Sequence, residues 1–115
     1  MTDSILDSTK KILGIEAEYN AFDLDIVTHI NSALFTLNQL GIGPDEGFMI
    51  EDASAEWDDL LEGDMNLNAV KSYIYLRVRM LFDPPTTSFA LDSMQKQVTE
   101  FEWRLNTYRE GLQQL

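Results

Sequence analysis

At 115 residues and 44 % hydrophobic content the chain is one domain with enough apolar material for a core, which excludes a disordered tail. Twenty acids against eight bases leave a formal charge of −12, a surface that repels phosphate and excludes ordinary tight binding to nucleic acid or an anionic membrane. The absence of cysteine removes disulfides, thiolate metal sites and thiol nucleophiles, and fits a reducing cell interior.

No apolar run approaches the roughly 20 residues of a membrane span. Met1-Thr2-Asp3-Ser4 lacks the basic-then-apolar pattern of a signal peptide. Asp3 or Ser4 is the expected cap of a short first helix carrying Ile5, Leu6, Thr9, Ile12 and Leu13 on one side. Lys10 and Lys11 suit its C-terminal dipole, and Gly14 ends it. After a connection over Ile15–Phe22, Asp23 is the expected cap of a helix over about 23–40. Leu24, Val27, Ile30, Leu34 and Leu37 form its apolar stripe, Phe35 and Leu40 fit less strictly, and Gly41 stops it.

Gly41-Ile-Gly-Pro-Asp-Glu-Gly47 is the strongest loop signal in the chain. Phe48–Ile50 reads as a short extended piece, and Ser54 as the cap of a one- to two-turn helix over Ala55–Leu61 that ends at Gly63. Leu67–Phe82 has no internal Gly or Pro. Its Leu67, Val70, Ile74, Val78 and Leu81 follow helical spacing, Asn66 offers a cap, and Pro84-Pro85 forbids continuation. Arg77 and Arg79 lie about 200° apart on this helix, so at least one faces outward. Ser88 is the expected cap of the last helix, with Leu91, Met94, Val98, Phe101, Leu105 and Tyr108 as its stripe and Gly111 as its end. The expected fold is all-α, a small bundle of three long and two short helices in a single domain over 1–115. Residues 41–64 form an acidic loop and short-helix insertion, and 111–115 a tail.

Trp57, Trp103, Phe35, Phe48, Phe89 and Tyr75 are more large side chains than so small a core readily holds. Some are expected on the surface, where aromatic patches mark interfaces. From Asp45 to Asp64 the chain carries nine acids and no base, while six of the eight bases follow at Lys71, Arg77, Arg79, Lys96, Arg104 and Arg109. Two readings stay open: a solvated acidic loop, or head-to-side pairing between copies. The second would set Arg77 and Arg79 against Trp57, Asp58, Asp59 and Glu62.

Catalytic chemistry has no residues to stand on. His29, the only histidine, lies beside the Val27/Ile30 stripe without a partner for a metal pair or a triad. An EF-hand reading of Asp58…Glu62-Gly63 puts Leu60 and Ala69 where oxygen ligands are needed. Gly41-Ile-Gly43 lacks a third glycine and a preceding strand, so it is not a dinucleotide loop. No cofactor and no metal is expected.

Ile5-Leu-Asp-Ser-Thr-Lys-Lys-Ile-Leu-Gly14, Asn38-Gln-Leu-Gly-Ile-Gly43, Lys71–Pro85 and Phe101-Glu-Trp-Arg-Leu-Asn106 together resemble the head–tail connector proteins of tailed bacteriophages, over nearly the whole chain. None of these strings is a catalytic signature. The resemblance implies a virion protein made in the host bacterial cytoplasm and placed in the virion neck. It implies a homo-oligomeric ring of about a dozen copies, docked on the portal protein and joined below to a stopper or tail-completion protein. DNA would pass through its channel without sequence-specific binding, and no membrane is involved. Portal docking is expected at Trp103, Tyr108, Arg109, Leu112 and Leu115, because Leu112 and Leu115 lie beyond Gly111 with no local core to enter; a frayed terminus is the competing reading. The tail-side contact is expected in the loop with Ile42, Pro44, Phe48 and Ile50. The alternative function is a monomeric acidic protein that inhibits a basic host site.

Overall fold

The computed structural model describes residues 4–60 and 67–113. Five helices follow in order: α1 (Ile5–Ile12), α2 (Asp23–Gln39), α3 (Trp57–Leu60), α4 (Leu67–Phe82) and α5 (Ser88–Gln113). Among the described residues there is no strand; Ser4 and Glu56 make one isolated antiparallel bridge, and Ile5 N–H donates to Ala55 O at 3.0 Å. The all-α expectation holds, and Phe48–Ile50 is irregular chain.

Local chemistry sets the helix ends. Ser4 Oγ accepts the Asp7 N–H at 3.2 Å and caps α1. The C-termini of α1 and α2 close in the same way. Gly14 N–H donates to Lys11 O and Ile15 N–H to Lys10 O; Gly41 N–H donates to Asn38 O and Ile42 N–H to Leu37 O. Each is a Schellman motif turned by a glycine at positive φ, and the second folds Ile42 back into the core.

Several expected boundaries shift. Phe22, without a side-chain cap bond, precedes α2, and the Asp23 carboxylate is used elsewhere. Ser54 bonds Asp52 instead of capping, and α3 starts at Trp57, where the Asp59 carboxylate accepts the Glu56 N–H at 2.9 Å. Thr87, not Ser88, caps α5, its Oγ1 accepting the Ala90 N–H at 3.2 Å. α5 also runs through Gly111 to Gln113, because a glycine lowers helix propensity without forbidding the helix. The expected Asn66 cap and Gly63 stop lie outside the described residues.

α4 is the centre: α2 packs on one side of it, α5 on another, and α1 packs on α2. The result is a slab with extents of 45 × 36 × 22 Å. The core joins Ile5 and Leu6 of α1, Ile26, Ile30, Ala33, Leu34 and Leu37 of α2, and Val70, Tyr73, Ile74 and Val78 of α4. Trp57 and Leu60 of α3 and Val98 and Leu105 of α5 complete it with the loop residues Ile42 and Ile50. Ile12, Leu24, Phe35, Leu81 and Leu91, expected on buried stripes, are exposed. On α2 the buried face is centred on Ile30 and Ala33, which turns Leu24 and Phe35 away from α4.

Candidate functional site: interaction surfaces and the contacts that shape them

Three polar devices fix the frame on which the surfaces are carried. The first is Lys10. Its ammonium is 1 % exposed, lies 2.8 Å from Asp23 Oδ1 and donates to Ala17 O at 2.9 Å. It ties α1 to the start of α2 across the connection and meets an Asp23 oxygen that is otherwise buried without a hydrogen bond. A lysine at a helix end ordinarily points to solvent, so its composition gave no hint of this.

The second device is Arg77, which joins three helices. Its guanidinium donates to Tyr73 Oη at 2.6 Å on α4, and to Thr36 Oγ1 at 3.1 Å and Ser32 Oγ at 3.3 Å on α2. It stands 3.8 Å from Glu102 Oε2 on α5. Tyr73 Oη–H in turn donates to Glu102 Oε2 at 2.6 Å. Burial of the phenol, then its bond to the Glu102 carboxylate, pushes the Tyr73 pKa from 10.0 up to about 12, against an opposing pull from Arg77. Between those values the folded chain holds a proton that the unfolded chain has released. This contribution to stability is therefore complete below pH 10 and is lost as pH rises toward 12. Denaturant midpoints measured across that window are expected to fall more steeply for the native sequence than for Tyr73→Phe; equal slopes would refute the assignment.

The third device is Asn31, whose amide donates to Ile50 O at 2.9 Å and accepts the Ile50 N–H at 2.8 Å, holding the 41–56 segment on α2. Asn38 Nδ2 adds a bond to Pro44 O at 3.2 Å. Gly43, at φ +89°, lies so close to Leu60 that an added Cβ would sit 3.1 Å from its Cδ1.

The expected interface residues divide accordingly. Arg77 is engaged inside the subunit. Arg79 turns outward to Asp83, with its Nε 3.2 Å from the carbonyl oxygen and 3.9 Å from the carboxylate. Trp57 is 2 % exposed: its Nε1–H donates to Ser8 Oγ at 2.9 Å, its ring meets Tyr75 edge-on at 5.9 Å, and Lys71 Nζ stands 5.5 Å from it. Asp58 and Asp59 are exposed, and Glu62 lies outside the described residues. In the expected tail-side loop, Ile42 and Ile50 belong to the core and Pro44 and Phe48 are half-buried, while Met49, which the sequence did not single out, is 74 % exposed. At the other end Trp103 is 67 % exposed. Tyr108, Arg109 and Leu112 lie in the last turns of α5, and Leu115 falls outside the described residues. His29 is half-buried on α2.

Among the described residues two of the exposed apolar surfaces are broad enough to matter for assembly. One is a groove of about 610 Å³ between the outer side of α2 and the 46–49 segment, with Phe35 (64 % exposed), Met49, Phe48 and Glu46 on its walls. The other is the side of α5 turned away from α4. Phe89 (85 % exposed), Lys96 and Trp103 recur there at seven-residue spacing, opposite the buried Val98 and Leu105. The expectation of surface aromatics holds for Phe35, Phe89 and Trp103. Among the described residues no three His, Asp or Glu are grouped to hold a metal, and no helix is long and apolar enough to cross a membrane.

A family model described as "Phage connector protein" matches residues 5–112. No curated protein matches the chain, and no solved structure does.

Proposed function

The chain belongs to the phage connector proteins, whose family model spans residues 5–112, and from that membership we propose that it is a head–tail adaptor that docks on the portal as a closed ring. In this role it lengthens the DNA channel and joins the capsid to the stopper or tail protein in the virion neck. The observation that carries the reading is the exposed apolar surface that the subunit leaves outside its own core, above all the α2 groove and the outer side of α5. A monomeric acidic inhibitor would have no use for Phe35, Met49, Phe89 and Trp103 in solvent.

A ring needs one heterologous contact repeated until it closes, and hence two different faces. The groove on α2 and the outer side of α5 lie on different helices, each with its buried face on α4. The charge of −12 suits a conduit, because acids along a bore keep phosphates from sticking. Portal docking falls in this reading to the C-terminal end, at Tyr108, Arg109, Leu112 and Leu115, with the exposed Trp103 preceding them in the chain, and no covalent chemistry is required of any residue.

The test is to mix the purified chain with portal rings and follow co-sedimentation and electron-microscopic images. The expected result is a ring of added density on the portal, with retention weakened about tenfold by Leu112→Asp, the effect of losing one good contact. A chain that stays monomeric by light scattering and never co-sediments with portal would overturn the proposal.

A further inference from the structure

The two open surfaces are complementary in shape: the first is hollow with an acidic edge, and the second stands out from the helix. The groove is concave and apolar, bounded by Phe35, Phe48 and Met49 and edged by Glu46, with further acids at Asp45, Glu51 and Asp52 nearby in the chain. The outer side of α5 is a convex ridge about 21 Å long from Phe89 to Trp103 at the helical rise of about 1.5 Å per residue. Lys96 stands at its middle, with the exposed Asp92 and Glu100 a turn to either side and Glu100 held by Arg104.

Most cations of this chain are already used within the subunit. Lys10 meets Asp23, Arg77 meets Tyr73 and Glu102, Arg79 meets Asp83, Arg104 meets Glu100, and Lys71 sits over Trp57. Lys96 is exposed and has no ionic partner among the described residues. A cation flanked one heptad away on each side by exposed aromatic rings, on a helix whose other face is buried, is the pattern of a helix laid into an acidic apolar groove.

Resting on the connector reading, we infer that the α2/46–49 groove of one subunit receives the Phe89–Lys96–Trp103 ridge of α5 from a second copy of this chain. Trp103 and Phe89 cover Phe35 and Met49, and Lys96 meets Glu46. The contact is head-to-tail, because groove and ridge are different surfaces, and therefore propagates from copy to copy.

The chain's lack of cysteine makes the test clean. Met49→Cys and Lys96→Cys are introduced singly and together, and the proteins are oxidised on portal rings, where the connector reading places the assembly. The doubly substituted chain is expected to give a covalent ladder of many subunits, while each single variant stays monomeric on a non-reducing gel. Efficient dimers from Met49→Cys alone would mean that the groove meets its own copy across a two-fold axis, and would overturn the inference. So would a ring that forms on the portal, seen by electron microscopy, without any ladder; that outcome leaves the connector reading standing, whereas absence of any ring on the portal removes both. A second arm exchanges the charges. Lys96→Glu is expected to weaken ring formation about tenfold, the order of effect of reversing one interface charge, and Glu46→Lys in the same chain to recover most of it. Equal loss in the double variant, with no recovery, also counts against the pairing.

Discussion

Trp57→Ala is expected to lower the unfolding free energy by about 4 kcal/mol, the usual cost of emptying a tryptophan-sized site. That is a large share of the roughly 5–15 kcal/mol that holds a domain of this kind together. The side chain belongs to a four-residue helix with almost no stability of its own, yet it connects three parts of the molecule. Its Nε1–H reaches Ser8 on α1, its ring meets Tyr75 on α4 edge-on, and Lys71 lies over it. Removing it leaves Leu60 alone to hold α3 in the core. Trp57→Phe keeps most of the apolar volume and loses the hydrogen bond, so its cost is expected near 1–2 kcal/mol. Guanidinium denaturation gives both values. A loss below about 1 kcal/mol in the alanine variant would show that the indole is not part of the core.

Lys10→Met is the second large effect, expected at about 2–3 kcal/mol. Methionine keeps the length and apolar body of the lysine stem, so packing is largely preserved and the change isolates the ammonium. What is lost is the partner of a carboxylate and of the Ala17 carbonyl. Breaking a fully buried pair costs about 3–5 kcal/mol; Asp23 is one-third exposed and recovers part of its hydration, which lowers the figure. Combining Lys10→Met with Asp23→Leu removes both charges and is expected to return much of the stability, since an apolar pair needs no desolvation. A double variant whose loss equals the sum of the two single losses would show that the ion pair carries no coupling energy.

Long periodic elements were legible in the residues because their signals are local. α4 occupies the expected Leu67–Phe82, and α2 ends at Gln39, within a residue of the expected end at Leu40. Cap identities were legible only to within a few residues. Thr87 and Ser88 carry the same hydroxyl chemistry side by side, and only the path of the chain decides which one accepts the first free N–H. The stripe on α2 was misplaced for a different reason: Leu24 and Phe35 fit the helical period nearly as well as Ile26 and Ala33, and the position of α4 chooses between them. Lys10, Asn31 and Arg77 owe their roles to partners as far as 45 positions away in sequence, which no local pattern records. Of the candidate surfaces, the count of aromatics foretold that some would be exposed but not that they would be Phe35, Phe89 and Trp103. Ile42, expected in the tail-side loop, enters the core instead, because an apolar residue after a helix-ending glycine folds back onto the last turn. Met49 and Lys96 had no such signal.

The Asn31 amide grips both the N–H and the carbonyl of Ile50, and this pair of hydrogen bonds to one residue acts as a rivet. A segment fastened so cannot slide along α2. Chain on either side of the rivet is thereby uncoupled: a residue gained or lost between Pro44 and Phe48 changes the near lobe alone, and one between Asp52 and Ala55 changes the far lobe alone. Because lengthening a surface loop costs only about 0.6 kcal/mol per doubling, this helical scaffold can accept new outlines on that edge without disturbing the three long helices beneath.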